Sequence, residues 1–283
     1  MKPAPFDYLR ASSVDEAVAA LAANADAKVL AGGQSLVPML NFRLIDAPLF
    51  VDISGIEILA GIAEAADGGL RIGALMRHYA LETSDAVRQR FPVLHEAMKH
   101  VAHLAIRNRG TIGGSLSHAD PAAELPTLSV LLDAIIETAN PAGGRQIAAQ
   151  DFFLAPLTTA LAPDEIVIAV YLPGLPEGAG WGFEEFAQRR GDFAVAGAAA
   201  IVVRDGDRVT ATRIALMGVH DTPLRAEAAE QAMMSDGIEA AATAAQEAAE
   251  PINDLHGSAE YRRHLVGVLT RRALTAAYER ATP

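Results

Sequence analysis

The stretch that most narrows what this chain can become runs from Ile106 to Glu124 and reads IRNRGTIGGSLSHADPAAE. It is short of bulky side chains, dense in turn formers, and carries adjacent glycines at 113 and 114. An earlier stretch of like character, Leu30 to Pro38, reads LAGGQSLVP. Glycine lacks Cβ and reaches positive φ, so main-chain N–H groups at such places approach phosphate oxygens closely. Gly32, Gly33, Gln34 and Ser35 supply one set of donors, and Gly110, Thr111, Gly113, Gly114 and Ser115 supply another. Either loop alone is an ordinary turn. Together, each beside hydroxyl residues and a predicted strand, they imply a grip on one phosphate-bearing cofactor. There is no GxxxxGKS or GxxxxGKT, which argues against a nucleotide-hydrolysing P-loop. Asp120 and Glu124 lie just beyond. Carboxylates repel phosphate, so these two are expected to face sugar hydroxyls or ring N–H groups. Asp120 has a second reading, as the cap of a helix that starts after Pro121.

The chain has 283 residues, enough for two or three compact units. With 51% hydrophobic and 20% charged residues it has a globular composition. The net charge of -12 and the lack of a basic cluster exclude the usual nucleic-acid footprint. There is no cysteine, so this chain offers no disulfide, no thiol nucleophile and no cysteine ligands for an iron–sulfur cluster. Asp7, Arg10, Asp15 and Glu16 interrupt the apolar runs near the start, so no signal peptide is expected. No apolar run reaches membrane length, and a cytoplasmic location is the expectation.

Ser13 and Glu16 fit a capping box, and Val14, Ala17, Val18 and Leu21 repeat at helical spacing, which predicts a helix over 14–23. Strands are predicted at 28–30 and 49–53, with a wandering loop through Pro38 and Pro48 between them. That order differs from the strand–GxGxxG–helix order of a Rossmann unit. Further strands are predicted at 57–60 and 69–74, helices at 78–89, 92–104 and 125–132, and a strand at 134–138; residues 151–153 and 166–171 belong to a further segment that ends at Pro173. Pro173, Gly174, Pro176, Gly178 and Gly180 mark the clearest linker. Beyond it, strands at 181–186, 195–203 and 209–218 predict a three-stranded antiparallel sheet, covered by alanine-rich helices through about 248 and from 258 to 278.

Four motifs carry a resemblance: AGGQSLVPMLNFRL at 31–44, IRNRGTIGGSLSHADPAAELP at 106–126, RRGDFA at 189–194 and DLHGSAEYRRHL at 254–265. With them the chain resembles the FAD-binding medium subunit of the molybdenum hydroxylases, the group that includes aerobic carbon monoxide dehydrogenase and xanthine dehydrogenase. The resemblance implies an α+β fold. An FAD-binding domain of the vanillyl-alcohol-oxidase (PCMH) type would span 1–175, as two α/β subdomains over about 1–55 and 56–175. A C-terminal domain of the carbon monoxide dehydrogenase flavoprotein type would span 176–283. It implies that Ala31, Gly32, Gly33, Gln34, Ser35 and Leu36 wrap the FAD pyrophosphate, with Thr111, Gly113, Gly114 and Ser115 holding it from the other side. Glu124 matches a carboxylate on the cofactor's sugar portion, and Ile166 an apolar residue packed along it. Glu185 falls where some relatives have a lysine near the flavin ring. The implied role is electron transfer: from two [2Fe-2S] clusters on a small partner subunit, through FAD here, to NAD or a quinone. Substrate oxidation would occur at the molybdopterin cofactor of a large molybdenum-binding subunit, in a dimer of heterotrimers. A stand-alone flavin oxidoreductase and an assembly subunit that has lost FAD are the alternatives.

No protein nucleophile is required for flavin chemistry, so no catalytic residue is expected. His118 either donates to the cofactor or ties its own loop to a backbone carbonyl. His95, His100, His103 and His118 lack compact metal-ligand spacing, and no metal site is expected. Arg107 and Arg109 neutralise phosphate, face a partner or support the loop. Arg189, Arg190 and Asp192 read as ion pairs joining the two domains on the flavin side.

Overall fold

The computed structural model describes residues 2–282. The first unit alternates strands and helices: β1 (Asp7–Arg10), α1 (Val14–Ala23), β2 (Lys28–Leu30), α2 (Leu36–Asn41) and β3 (Leu49–Asp52). Its three strands are parallel in the order β1-β3-β2, which requires crossovers, and α1 and α2 lie in them. Helix α1 begins as its sequence predicts. Ser13 Oγ accepts the Glu16 N–H at 3.1 Å, while the Glu16 carboxylate turns back to the Ser12 N–H (2.7 Å) and hydroxyl (2.6 Å). Helix α2 replaces the expected loop. Pro38 sits in its first turn, where a missing N–H costs nothing.

The second unit opens with a single 3₁₀ turn at Glu57–Leu59 instead of the predicted strand. Ile56 and Leu59 are buried and Ile58 is 82% exposed, a spacing of three rather than two. Strands β4 (Ile62–Glu64) and β5 (Leu70–Gly73) follow, then α3 (His78–Thr83), α4 (Asp85–Arg90), α5 (Pro92–Ala97), α6 (Leu104–Arg107), α7 (Ile112–His118) and α8 (Glu124–Leu131). The helix predicted over 78–89 is therefore two. Ser84 Oγ accepts the Val87 N–H at 3.3 Å and starts the second. The chain then forms β6 (Ile135–Ala139), β7 (Gln146–Ala148), α9 (Ala149–Phe152), β8 (Phe153–Ala155), β9 (Thr158–Thr159) and β10 (Ile166–Leu172). The five-stranded sheet β4-β5-β10-β6-β7 is antiparallel throughout. Its middle strand, IVIAVYL, is the most continuously apolar of the five.

After the Pro/Gly stretch come β11 (Gly180–Ala187), β12 (Ala194–Asp205), β13 (Arg208–Met217) and β14 (Leu224–Arg225), an antiparallel sheet in that order. The predicted three strands are thus joined by a fourth of two residues. Helices α10 (Glu227–Ser235), α11 (Ile238–Ala248) and α12 (Ala259–Arg280) cover one face through Ala196, Ala198 and Ala200. The other face, through Phe183, Ala199 and Ile201, shares the core of the preceding helices. Both faces of β12 are therefore buried, which fixes this sheet against α8 and the loop before it. No helix among the described residues is long and apolar enough to cross a membrane.

Candidate cofactor site

A cavity of about 440 Å³ is lined by the first unit (Val29, Gly32, Ile53), the second unit (Leu75, Thr111, Ile166) and the 191–193 loop between β11 and β12. Loop 31–36 forms one wall. Gly33 adopts φ +72°, a region glycine enters without strain. A Cβ on Gly32 would overlap the Arg109 carbonyl, so this residue lets the two glycine-bearing stretches touch. The turn feeds α2 through the Val37 N–H to Gly33 carbonyl (3.1 Å) and Met39 N–H to Ser35 carbonyl (3.2 Å) bonds. Gln34 Nε2 donates to the Gly32 carbonyl at 3.0 Å. Among the described residues, no acceptor takes the N–H groups of 33–36, and the Ser35 hydroxyl makes no cap bond. Four adjacent donors and a hydroxyl are left for a ligand on the cavity side.

The second stretch is built differently. Residues 74–78, ALMRH, form a rail that residues 109–113 pair against. The Gly113 N–H donates to the Ala74 carbonyl (2.9 Å), the Ile112 N–H to Met76 (3.1 Å) and the His78 N–H to Gly110 (3.0 Å). The Arg77 guanidinium takes the Arg109 carbonyl. A Cβ on Gly113 would stand 2.7 Å from the Ala74 Cβ, so this glycine serves helix–rail packing. Thr111 caps α7, its hydroxyl accepting the Gly114 N–H at 3.2 Å, and the Ser115 N–H returns to the Thr111 carbonyl at 3.0 Å. This corrects the expectation that both stretches present N–H groups to phosphate: those of 112–115 are already spent. The wall keeps the side chains of Ser115 and of Ser117, a residue the sequence did not single out.

His118 ends α7 and lines the cavity; its ring makes no hydrogen bond within the described residues, so it does not tie its own loop. Burial lowers its pKa, against the opposing charge of Asp120. Asp120 Oδ1 accepts the Ala122 N–H at 2.9 Å, closing a turn. The cap position of α8 belongs to Ala123, so Asp120 shapes the approach to that helix without capping it. Glu124 is the first residue of α8, 9% exposed, and faces the cavity. Burial pushes its carboxyl up to about 8, with the Glu185 charge next in weight. At neutral pH it is an uncharged donor, which removes the repulsion that a carboxylate would impose on a phosphate-bearing ligand. Ile166, buried at the start of β10, lines the same space.

Ala31 to Leu36, Thr111, Gly113, Gly114, Ser115, His118, Asp120, Glu124 and Ile166 therefore border one cavity. Glu185 does not. Its side chain on β11 is 4% exposed, with Oε2 unpartnered and 3.8 Å from His100 Nδ1, and burial pushes it up to about 7. It stands behind Glu124, outside the cavity lining. Two ionisable lining residues gave no sequence signal. His78 is buried with both ring nitrogens unpartnered, and burial lowers its pKa to about 4. Glu165 is held by Arg145 (2.8 Å), which keeps its carboxyl down at about 2. The RRGDFA stretch places Gly191, Asp192 and Phe193 on the rim. Among the described residues Arg189 pairs with Asp192 alone, at 3.1 Å within the loop, and makes no ion pair across to the N-terminal part.

The arrangement accepts an anion at 33–36, offers hydroxyls and a neutral carboxyl further along, and is apolar between them at Val29, Ile53, Leu75 and Ile166. Those features fit a flavin dinucleotide: a pyrophosphate, a polyol and a flat ring system. Residues 4–175 match the FAD binding domain in molybdopterin dehydrogenase, and residues 181–277 match the CO dehydrogenase flavoprotein C-terminal domain. Subunit alpha of the 6-hydroxypseudooxynicotine dehydrogenase complex of Paenarthrobacter nicotinovorans is 43% identical, over 100% of this chain and 98% of the relative. The solved carbon monoxide dehydrogenase of Hydrogenophaga pseudoflava aligns with TM-score 0.97 at 40% identity, covering 100% of both chains. Quinoline 2-oxidoreductase of Pseudomonas putida 86 aligns with TM-score 0.94 at 38% identity, covering 99% of both. The chain belongs to the FAD-binding medium subunits of the molybdenum hydroxylases, oxidoreductase subunits whose molybdopterin and iron–sulfur centres belong to other subunits.

Proposed function

We propose that this chain is the electron-transfer subunit of a heteromeric molybdenum hydroxylase, receiving electrons from [2Fe-2S] clusters on a small subunit and passing them to NAD or a quinone. FAD supplies the two-electron store between those donors and the acceptor. The protein's part is to hold it. The observation that carries the reading is the row of unclaimed N–H groups at 33–36, which faces a cavity with a neutral Glu124 further along its wall. Ala31 to Leu36 would take the pyrophosphate, with the Ser115 hydroxyl opposite and Thr111, Gly113 and Gly114 bracing the wall that carries it. Glu124, Asp120 and His118 would reach the polar middle, and Ile166 would pack along the cofactor. Glu185 would act on the ring environment only through Glu124. The cavity offers no residue set that singles out a small substrate, so its choice falls to a large molybdenum-binding subunit. We place the assembly in the cytoplasm as a dimer of heterotrimers, with this chain split into 1–175, which holds FAD, and 176–283, which completes its surroundings.

The test is purification of the chain with its neighbours. A yellow complex is expected, carrying large and small partner chains. Its flavin should bleach on adding the oxidisable substrate only while those partners are bound. Direct bleaching of the isolated chain by a small substrate would establish the stand-alone reading. A colourless chain that refuses added FAD would establish the assembly role.

A further inference from the structure

No hydrogen bond among the described residues joins the DLHGSAEYRRHL motif to the cavity lining, yet its bonds lead there. Asp254 Oδ1 accepts the His256 (2.8 Å) and Gly257 (3.1 Å) N–H groups, and Ser258 Oγ accepts the Tyr261 N–H (3.1 Å) to start α12. These bonds aim Arg262 inward. The residue is 6% exposed. Its guanidinium pairs with Asp254 and donates through Nη1 to the carbonyls of Val195 (2.7 Å) and Gly218 (3.0 Å). One cation thus joins the start of β12 to the residue following β13.

Each of those carbonyls belongs to an arm that ends at the cofactor cavity. Val195 lies two residues beyond Phe193, and Gly191, Asp192 and Phe193 line the cavity. The same loop is held to the motif by Gln188 Nε2 donating to the His256 carbonyl (3.3 Å) and by the Phe186–Tyr261 edge contact at 6.3 Å. Gly218 donates its own N–H to the Pro121 carbonyl at 2.9 Å. Pro121 sits inside the turn that Asp120 closes, one helix start away from Glu124. A buried guanidinium holds two carbonyls with short charge-assisted bonds more rigidly than neutral donors do. We propose that Arg262 is a positioning residue for the cofactor site, fixing the 191–193 rim and the 120–124 turn relative to each other. It touches neither the cavity's donors nor its carboxyls and acts through Val195 and Gly218. The proposal rests on the cavity being the FAD site.

The experiment compares Arg262→Gln, Arg262→Lys and Arg263→Gln in the purified holo-complex. Arg263 is the neighbour on the same helix; its Nε donates to the Ala249 carbonyl (3.3 Å), on an element away from the cavity, and serves as the control. FAD dissociation and the visible circular dichroism of bound flavin are measured beside the thermal midpoint. Arg262→Gln should weaken FAD binding roughly tenfold and change the flavin dichroism. Arg262→Lys, which keeps one donor to the carbonyls, should recover most of both, and Arg263→Gln should leave both unchanged. If Arg262→Gln does not fold, Asp254→Asn, which keeps the guanidinium and loosens its anchor, is judged by the same two readouts. A lower melting point with wild-type FAD affinity and dichroism overturns the proposal, as does an equal effect of the two arginine positions. Wild-type protein that holds no FAD would instead defeat the cofactor assignment itself.

Discussion

The two glycine-bearing stretches look alike as strings of letters and differ in what their backbones have left to give. Between 33 and 36 four successive N–H groups have no acceptor among the described residues. Between 112 and 115 every N–H is spent, on Met76, Ala74, the Thr111 hydroxyl and the Thr111 carbonyl. Glycine density marks close approach, but the partner differs. Gly113 approaches the 74–78 rail, Gly32 approaches the other loop, and only 33–36 turns outward. One stretch keeps its N–H groups unclaimed among the described residues, and the other spends its own inside the fold.

The comparison breaks first at Gly113. A methyl there meets the Ala74 Cβ at 2.7 Å and its carbonyl oxygen at 2.9 Å, and that carbonyl is already hydrogen-bonded to the Gly113 N–H. Gly113→Ala should cost about 2–3 kcal/mol of stability, the scale of overpacking a tight contact. It should lower the thermal midpoint of the FAD-free chain as much as that of the loaded one. A variant that melts like wild type and merely loses FAD would place Gly113 at the ligand, and the distinction between the loops would fall.

That distinction was half legible in the letters. The glycines, the hydroxyls, the Ser13–Glu16 cap and the apolar run of β10 are local, and local chemistry decides them. Strands β11 to β13 and the final helix are legible for the same reason. Helix α2 was hidden because Pro38 reads as a breaker unless one knows it lies in the first turn. The Glu57–Leu59 turn was hidden because IEIL alternates like a strand over a window too short to show period three. The rail ALMRH has no regular period at all. Its existence depends on residues 109–113, more than thirty positions away, and with it went His78 and the bookkeeping of donors. Glu185 falls, by likeness to relatives, where some have a lysine near the flavin ring, and its burial is set by the packing of β11 on the His100 turn, which the letters do not show.

The second region also ends in a largely buried acid, Glu124, and this shows through pH. Folding holds protons on Glu124 and Glu185, with pKa values pushed up to about 8 and about 7, that the unfolded chain releases near the ordinary value of 4.5. Their contribution is complete below that ordinary value and is lost as pH rises through 7 and 8. His78, His100 and His118 have lowered pKa values and act in the opposite sense, but only below the ordinary histidine value of 6.5. From pH 6.5 to 8 the carboxyls act alone. Stability of the FAD-free chain should fall there by on the order of 1–2 kcal/mol, and Glu124→Gln should flatten most of the slope. An unchanged slope in that variant would mean that the folded chain does not hold a proton on Glu124 in this range.

The sharpest form of the comparison uses one hydroxyl from each stretch. Thr111 accepts the Gly114 N–H, so its oxygen is part of the brace, whereas Ser35 stands at the head of α2 with no cap bond. Thr111→Ala should lower stability by about 1 kcal/mol, the usual worth of an N-cap, and leave FAD affinity within about twofold. Ser35→Ala removes nothing that the folded chain uses. Its melting point should hold while FAD dissociates several-fold more readily, because the proposed donor to the pyrophosphate is gone. Calorimetric melting and fluorescence titration of FAD on the same two preparations read both quantities. The crossed pattern is what matters: if Ser35→Ala destabilises and Thr111→Ala releases FAD, the binding loop and the brace have been assigned the wrong way round.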